Sequence, residues 1–152
     1  HETKFPKKIK YYADLKRHIK KMQKTEDNVI VMGDFNVAPS PLDIGIGEIN
    51  AKRWLKEGKT AFLPEEIDMW NSIKDLGFID SWREQNPDEG SIYSWFDYRS
   101  RMFDDTPKRG LRIDHILVSE HMKKYIKETG IDYIARGMEK PSDHCPVWVE
   151  LK

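Results

Sequence analysis

A chain of 152 residues is about the modal size of one domain, and 38% hydrophobic content with 5 Trp, 6 Tyr and 6 Phe supplies a packed core and excludes wholesale disorder. Its 26 basic and 26 acidic side chains cancel, which excludes a general polycation but leaves local basic clusters able to meet phosphate. Cys145 is the single cysteine, which argues against a disulfide framework and a thiolate metal cage; no run nears the ~18 apolar residues of a membrane span and HETKFPKKIK has no apolar signal segment, so a cytoplasmic protein without a membrane partner is expected.

In chain order, Ile9, Tyr12, Leu15, Ile19 and Met22 recur at three- and four-residue steps between lysines, which predicts an amphipathic helix. Residues 29–32 then form a strand that is apolar on both faces and expected to be covered on both. That strand runs into Gly33-Asp34-Phe35-Asn36, which leaves a carboxylate and an amide at its end. Residues 35–58 read as loop, punctuated by Pro39, Pro41, Gly45 and Gly47. Pro64-Glu65-Glu66 opens a second helix carrying Ile67, Trp70 and Ile73, and Gly77 closes it. SIYSWFDYRS at 91–100 is an aromatic strand candidate, and LRIDHILVS at 111–119 is a β-branched strand with Asp114 inside it. A short helix near 120–127, a strand near 131–135 and a final strand at 147–151 complete a mixed α/β (α+β) pattern without repeats or linkers.

Three polar clusters border or interrupt apolar strands, where a carboxylate is costly unless it is used or paired. They are Asp34 with Asn36, Asp114, and Ser142-Asp143-His144. Each has a plain alternative. Asp34 could make an ordinary Asx turn, Asp114 could pair with Arg112 or Arg109, Ser142-Asp143 could cap a turn, and a lone His144 could be a structural hydrogen-bonder. All three together are harder to dismiss.

GDFN, GFIDSWR, SWFDYRS, RIDHIL and EKPSDHCPVWVEL occur in this order and resemble the exonuclease III family of abasic-site endonucleases, within the endonuclease/exonuclease/phosphatase superfamily. LDIGIGE, KRWL and FLPEE look like its bacterial branch. The resemblance implies a four-layer α/β sandwich, two packed mixed sheets flanked by helices, of which residues 1–152 would be the C-terminal portion with most of the first sheet absent. Family members begin with a strand ending in Asn, a second strand whose Glu binds the metal, and a Tyr-bearing segment. None has a counterpart here, and Glu2 is a poor substitute for the metal glutamate.

The implied activity is Mg²⁺-dependent phosphodiester hydrolysis, with Mn²⁺ as a substitute ion, on double-stranded DNA carrying abasic sites or 3′ ends. Asp34 would handle the proton of the attacking water, Asn36 would hold water or phosphate without adding charge, and His144, oriented by Asp114, would donate to a phosphate oxygen. Asp143, with Asp34 and Asn36, would serve the metal. Trp95, Phe96, Leu111 and Ile113 match the family region that forms the pocket for a base-free deoxyribose, although core packing is the plain reading of Phe96. Arg99, Arg101, Lys108, Arg109 and Arg112 could meet the DNA backbone or form a solvated face. DIGIGE lacks the Lys-Ser/Thr of a nucleotide P-loop and reads as loop. The alternatives are a superfamily phosphatase acting on a small or lipid phosphate, and a catalytically silent stretch. A full-length protein is expected to be monomeric, whereas this portion is expected to self-associate or to need its missing half.

Overall fold

The first helix, α1 (Lys4–Met22), sits where the apolar spacing puts it and buries Tyr12 and Ile19, although Met22 at the end of the stripe is exposed. It belongs to a computed structural model that describes residues 4–152, so Glu2 lies outside the described residues. Strand β1 (Ile30–Asp34) follows, then a 3₁₀ turn at Pro41–Asp43, α2 (Glu48–Lys56), α3 (Pro64–Lys74), β2 (Phe78–Asp80) and α4 (Ser81–Gln85). After a long irregular stretch come β3 (Asp114–Ser119), a 3₁₀ segment (Glu120–Tyr125), β4 (Ile126–Ile131), α5 (Tyr133–Arg136) and β5 (Val147–Leu151).

Two antiparallel sheets carry the architecture, one ordered β1-β3-β2 and the other pairing β4 with β5. Every residue of β3 is buried, because its alternating side chains face two different layers. Leu117 points to the helix side, where Tyr12, Ile19, Trp70, Ile73 and Phe78 form one core. Ile116 and Val118 point the other way, into a second core with Met122 and Ile126 that Val147 and Val149 of β5 help to cover. The layers therefore run helices, sheet, sheet, the mixed α/β arrangement expected from the sequence. A third cluster, around Phe62, Tyr93, Phe96, Leu111 and Ile113, packs the loops at the end of the first sheet where β1 stops.

Several local expectations are corrected. Strand β1 is not covered on both faces: it lies at the sheet edge, with Met32 65% exposed. The stretch 35–58 contains α2, which has no fully buried residue and turns only a short face, Ala51 and Trp54, onto the loop-end core. Residues 91–100 form no extended strand; Trp95 makes only isolated bridges to Leu111 and His144. The strand expected at 131–135 ends where α5 begins, capped by the Asp132 side chain accepting from the Ala135 N–H at 3.0 Å. Strand β2 is three residues long, too short to show a period. Among the described residues no helix is long and apolar enough to cross a membrane.

Candidate active site

Antiparallel pairing of β1 with β3 sets Asp34 directly opposite Asp114, which is how two carboxylates distant in sequence come to share one sheet end. The third member arrives by a different route. Ser94 is fully buried; its hydroxyl accepts from the Ile113 and Asp114 N–H groups at 2.9 and 3.0 Å, and its carbonyl accepts from the Cys145 N–H at 2.7 Å. Residues 93–96 thus stitch the start of β3 to the Ser142–Cys145 loop and bring His144 over the two aspartates.

His144 Nδ1 lies 2.8 Å from Asp114 Oδ2, and its Nε2 lies 3.8 Å from Asp34 Oδ2. The Asp114 hydrogen bond, helped by the charges of Asp114, Asp34 and Asp143, raises the His144 pKa against the opposing effect of partial burial. Bonding at Nδ1 also fixes the tautomer: Nδ1–H faces Asp114, and Nε2 points outward, an acceptor in the neutral ring and a donor once the imidazole is protonated. The Asp34 pKa is raised as well, by desolvation first and then by the Asp114 charge. Donor atoms of Asp34, Asp114 and His144 all lie within 4.8 Å of one another, a spacing that suits a metal ion.

Asn36 is exposed at φ 52°, a left-handed conformation that asparagine tolerates better than most residues, and its N–H donates to Asp34 Oδ1 at 2.7 Å. Its side chain has no protein partner among the described residues. Asp143 stands outside the tight carboxylate–imidazole group; its Oδ2 accepts from Trp95 Nε1 at 3.1 Å. Trp95 is half-buried and leans on Trp54, whose ring stacks on Phe62 with an interplanar angle of 5°. Phe96, Leu111 and Ile113 are all buried in the loop-end core, with Phe96 fully enclosed by Tyr93, Phe103 and Tyr133, so only Trp95 of the four apolar pocket candidates offers surface.

The basic residues divide sharply. Arg99 and Arg101 are exposed, Arg109 is half-buried and paired with Asp105, and Lys108 lies over the Phe103 ring. Arg112 is a correction: it is 1% exposed, with Nε on Asp43 at 2.6 Å, Nη2 on Asp80 at 2.6 Å, and Nη1 on His115 Nδ1 at 3.0 Å. A guanidinium surrounded by two buried carboxylates has no donor left for a DNA phosphate. Arg83 joins the same network through Asp43 at 2.5 Å. Burial alone would lift the Asp80 pKa, yet Arg112 and His115 together hold it below the ordinary aspartate value. His115 goes the other way, pushed down to about 4 by complete burial and by the Arg112 charge.

Sequence reasoning missed Ser94, Trp54, Glu66 and His115. Glu66 is fully buried, accepting from the Leu63 N–H at 3.1 Å and from Thr60 Oγ1 at 2.5 Å, and it forms an ion pair with Lys8. Its place three residues after Leu63, at the start of a helix with Pro64 next, was the available signal.

Comparison with known proteins matches the arrangement. Residues 1–144 match the Endonuclease/Exonuclease/phosphatase family. The chain is 52% identical over its whole length to exodeoxyribonuclease III of Haemophilus influenzae, of which it spans 56%. Its fold superposes on the 3′ phosphatase NExo from Neisseria bound to product DNA hairpin with TM-score 0.87 and 35% identity, covering 99% of this chain and 55% of that one. An AP endonuclease from Archaeoglobus fulgidus gives TM-score 0.81 at 29% identity, with 98% and 55% covered. The chain thus spans about half the length of these relatives.

Proposed function

The chain belongs to the Endonuclease/Exonuclease/phosphatase family, and from that premise we propose that its protein is a DNA-repair phosphodiesterase of the exodeoxyribonuclease III type, cutting the backbone 5′ to abasic sites and trimming 3′ ends. The observation that carries this reading is the Asp114–His144–Asp34 row, in which a doubly hydrogen-bondable imidazole stands between two carboxylates at a sheet end.

Hydrolysis of a phosphodiester needs a water in line with the leaving oxygen, a group to take its proton, and compensation for charge on the non-bridging oxygens. Asp34, with its raised pKa, accepts the proton of the water. Asn36 holds the water or the phosphate through an uncharged amide, which avoids repelling the substrate. His144, whose bond to Asp114 favours its protonated form, donates in that form from Nε2 to a phosphate oxygen. The residues suit a hard divalent ion: Asp34 is a carboxylate whose charge is disfavoured by desolvation and by Asp114, which a bound cation would relieve. Asp34, with Asn36 beside it and Asp114 opposite, would hold Mg²⁺, or Mn²⁺ in its place, with Asp143 outside that group, and the ion would supply charge stabilisation on the phosphoryl oxygens. Trp95 lies beside Asp143 and presents an aromatic wall suited to a base-free sugar, while Arg99 and Arg101 are free to meet the backbone.

A duplex carrying one abasic site, set against a small aryl phosphodiester, tests the substrate class. Preferred cleavage of the abasic duplex is expected. Cleavage of the small ester without the duplex would move the reading to a phosphatase-type member of the family.

A further inference from the structure

The backbone of the Asp34–Val37 turn is held by its carbonyls, one after another. The Phe35 carbonyl accepts from the Tyr12 hydroxyl, the Asn36 carbonyl accepts from Lys8 Nζ at 2.7 Å, and the Val37 carbonyl lies 2.7 Å from His115 Nε2. Lys8 and Tyr12 come from α1 and His115 from β3, so two different elements grip three successive peptide groups. The side chain of Asn36 meanwhile bonds no described residue and projects into solvent beside Asp34.

We propose that Lys8, Tyr12 and His115 are positioning residues, a three-point clamp on the carbonyls of residues 35–37 that holds Asn36 in its left-handed conformation and aims its amide at the reacting phosphate. The clamp deepens the proposed hydrolase reading and rests on it for the role of Asn36. Each donor is itself fixed from behind. Lys8 is anchored by the buried Glu66 and by Thr60 Oγ1 at 2.8 Å. Arg112 can only donate, so His115 Nδ1 must accept and its proton sits on Nε2, facing Val37. Phe35 and Trp70 meet the His115 ring edge-on at 5.6 and 5.3 Å, and the ring is buried. Tyr12 packs its ring 6.3 Å from that of Phe35. Asparagine tolerates the left-handed conformation without requiring it, and three backbone hydrogen bonds supply the means of holding it there.

The test uses Tyr12→Phe, which removes only a hydroxyl, and His115→Phe with His115→Gln as the donor-restoring partner. Hydrogen exchange read by mass spectrometry on peptides covering 33–38 requires no catalysis. Faster exchange there in Tyr12→Phe and His115→Phe, with 64–74 and 114–119 still protected and protection recovered in His115→Gln, is the expected result. Unchanged exchange at 33–38 in both variants overturns the clamp. So does a uniform loss of protection across all three segments, which would make these residues ordinary core. On an abasic duplex, kcat should fall on the order of 10-fold for each lost donor with KM unchanged, since small misplacements of a positioning group act on turnover. A rise in KM alone would contradict the clamp, whereas absence of cleavage by the unsubstituted protein would count against the hydrolase reading and leave the exchange result to judge the clamp.

Discussion

Because Asp114 bonds Nδ1 of His144, the folded state binds the imidazole proton more tightly than the unfolded chain does. A raised folded pKa means that this contribution to stability is fully present below the unfolded value of 6.5 and is lost as pH rises through the folded one. Asp34, also raised, has the same sign. His115 has the opposite sign: lowered from 6.5 to about 4, it contributes fully above 6.5 and loses that contribution as pH falls toward 4, with Arg112, Asp80 and Asp43 around it. Denaturant unfolding across pH should therefore show an acid-side loss on the order of 3 kcal/mol that His115→Gln removes; an identical acid limb in both proteins would contradict this. For turnover, Asp34→Asn or His144→Ala should each cost about 10²-fold, and full rates from either variant would remove that residue from the site. Trp95→Ala should shift the ratio of abasic incision to 3′-end trimming, and an unchanged ratio would return Trp95 to the core.

At the scale of elements, β3 does the most. It is the central strand of its sheet, its two faces feed two cores, and its first residue is Asp114. Leu117→Ala empties a fully buried position and should cost about 2–5 kcal/mol in thermal or denaturant unfolding; a loss below 1 kcal/mol would mean that the layer is not packed as described. The strand was legible in the sequence because β-branched residues surround an aspartate, and α1 and α3 were legible because their apolar positions repeat at helical spacing. Helix α2 was not, since Ile49 is 88% exposed and Leu55 is exposed too, so the short inner face of Ala51 and Trp54 is obscured by apolar residues on the outside. Residues 91–100 looked like a strand for their aromatics, but Tyr93 and Phe96 fill the loop-end core while the backbone at Trp95 makes only isolated bridges to Leu111 and His144. The grouping of Asp34, Asp114 and His144 was legible because carboxylates and a histidine stood at strand ends. The fate of Arg112 was not, because its partners Asp43 and Asp80 lie 69 and 32 residues away and only the fold brings them together.

For the whole molecule, the open question is what the edge strand meets. Ile30 and Met32 of β1 align with Val118 and Ile116, on the face that β5 covers elsewhere, yet they are 41% and 65% exposed. An unpaired strand edge carrying apolar residues is a template for further pairing. The 152-residue chain should therefore self-associate in light scattering, and a monomer at high concentration would contradict this. The proposed hydrolysis of the DNA backbone by Asp34, Asn36, Asp114 and His144 is checked by incision of a duplex carrying one abasic site, with Mg²⁺ or with EDTA, by this chain and by a protein of its relatives' length that contains it, each alongside its His144→Ala variant. Mg²⁺-dependent cleavage 5′ to the site is expected in the longer protein, reduced about 10²-fold by His144→Ala. Cleavage by neither protein, or cleavage that survives EDTA and the His144 substitution unchanged, would contradict it.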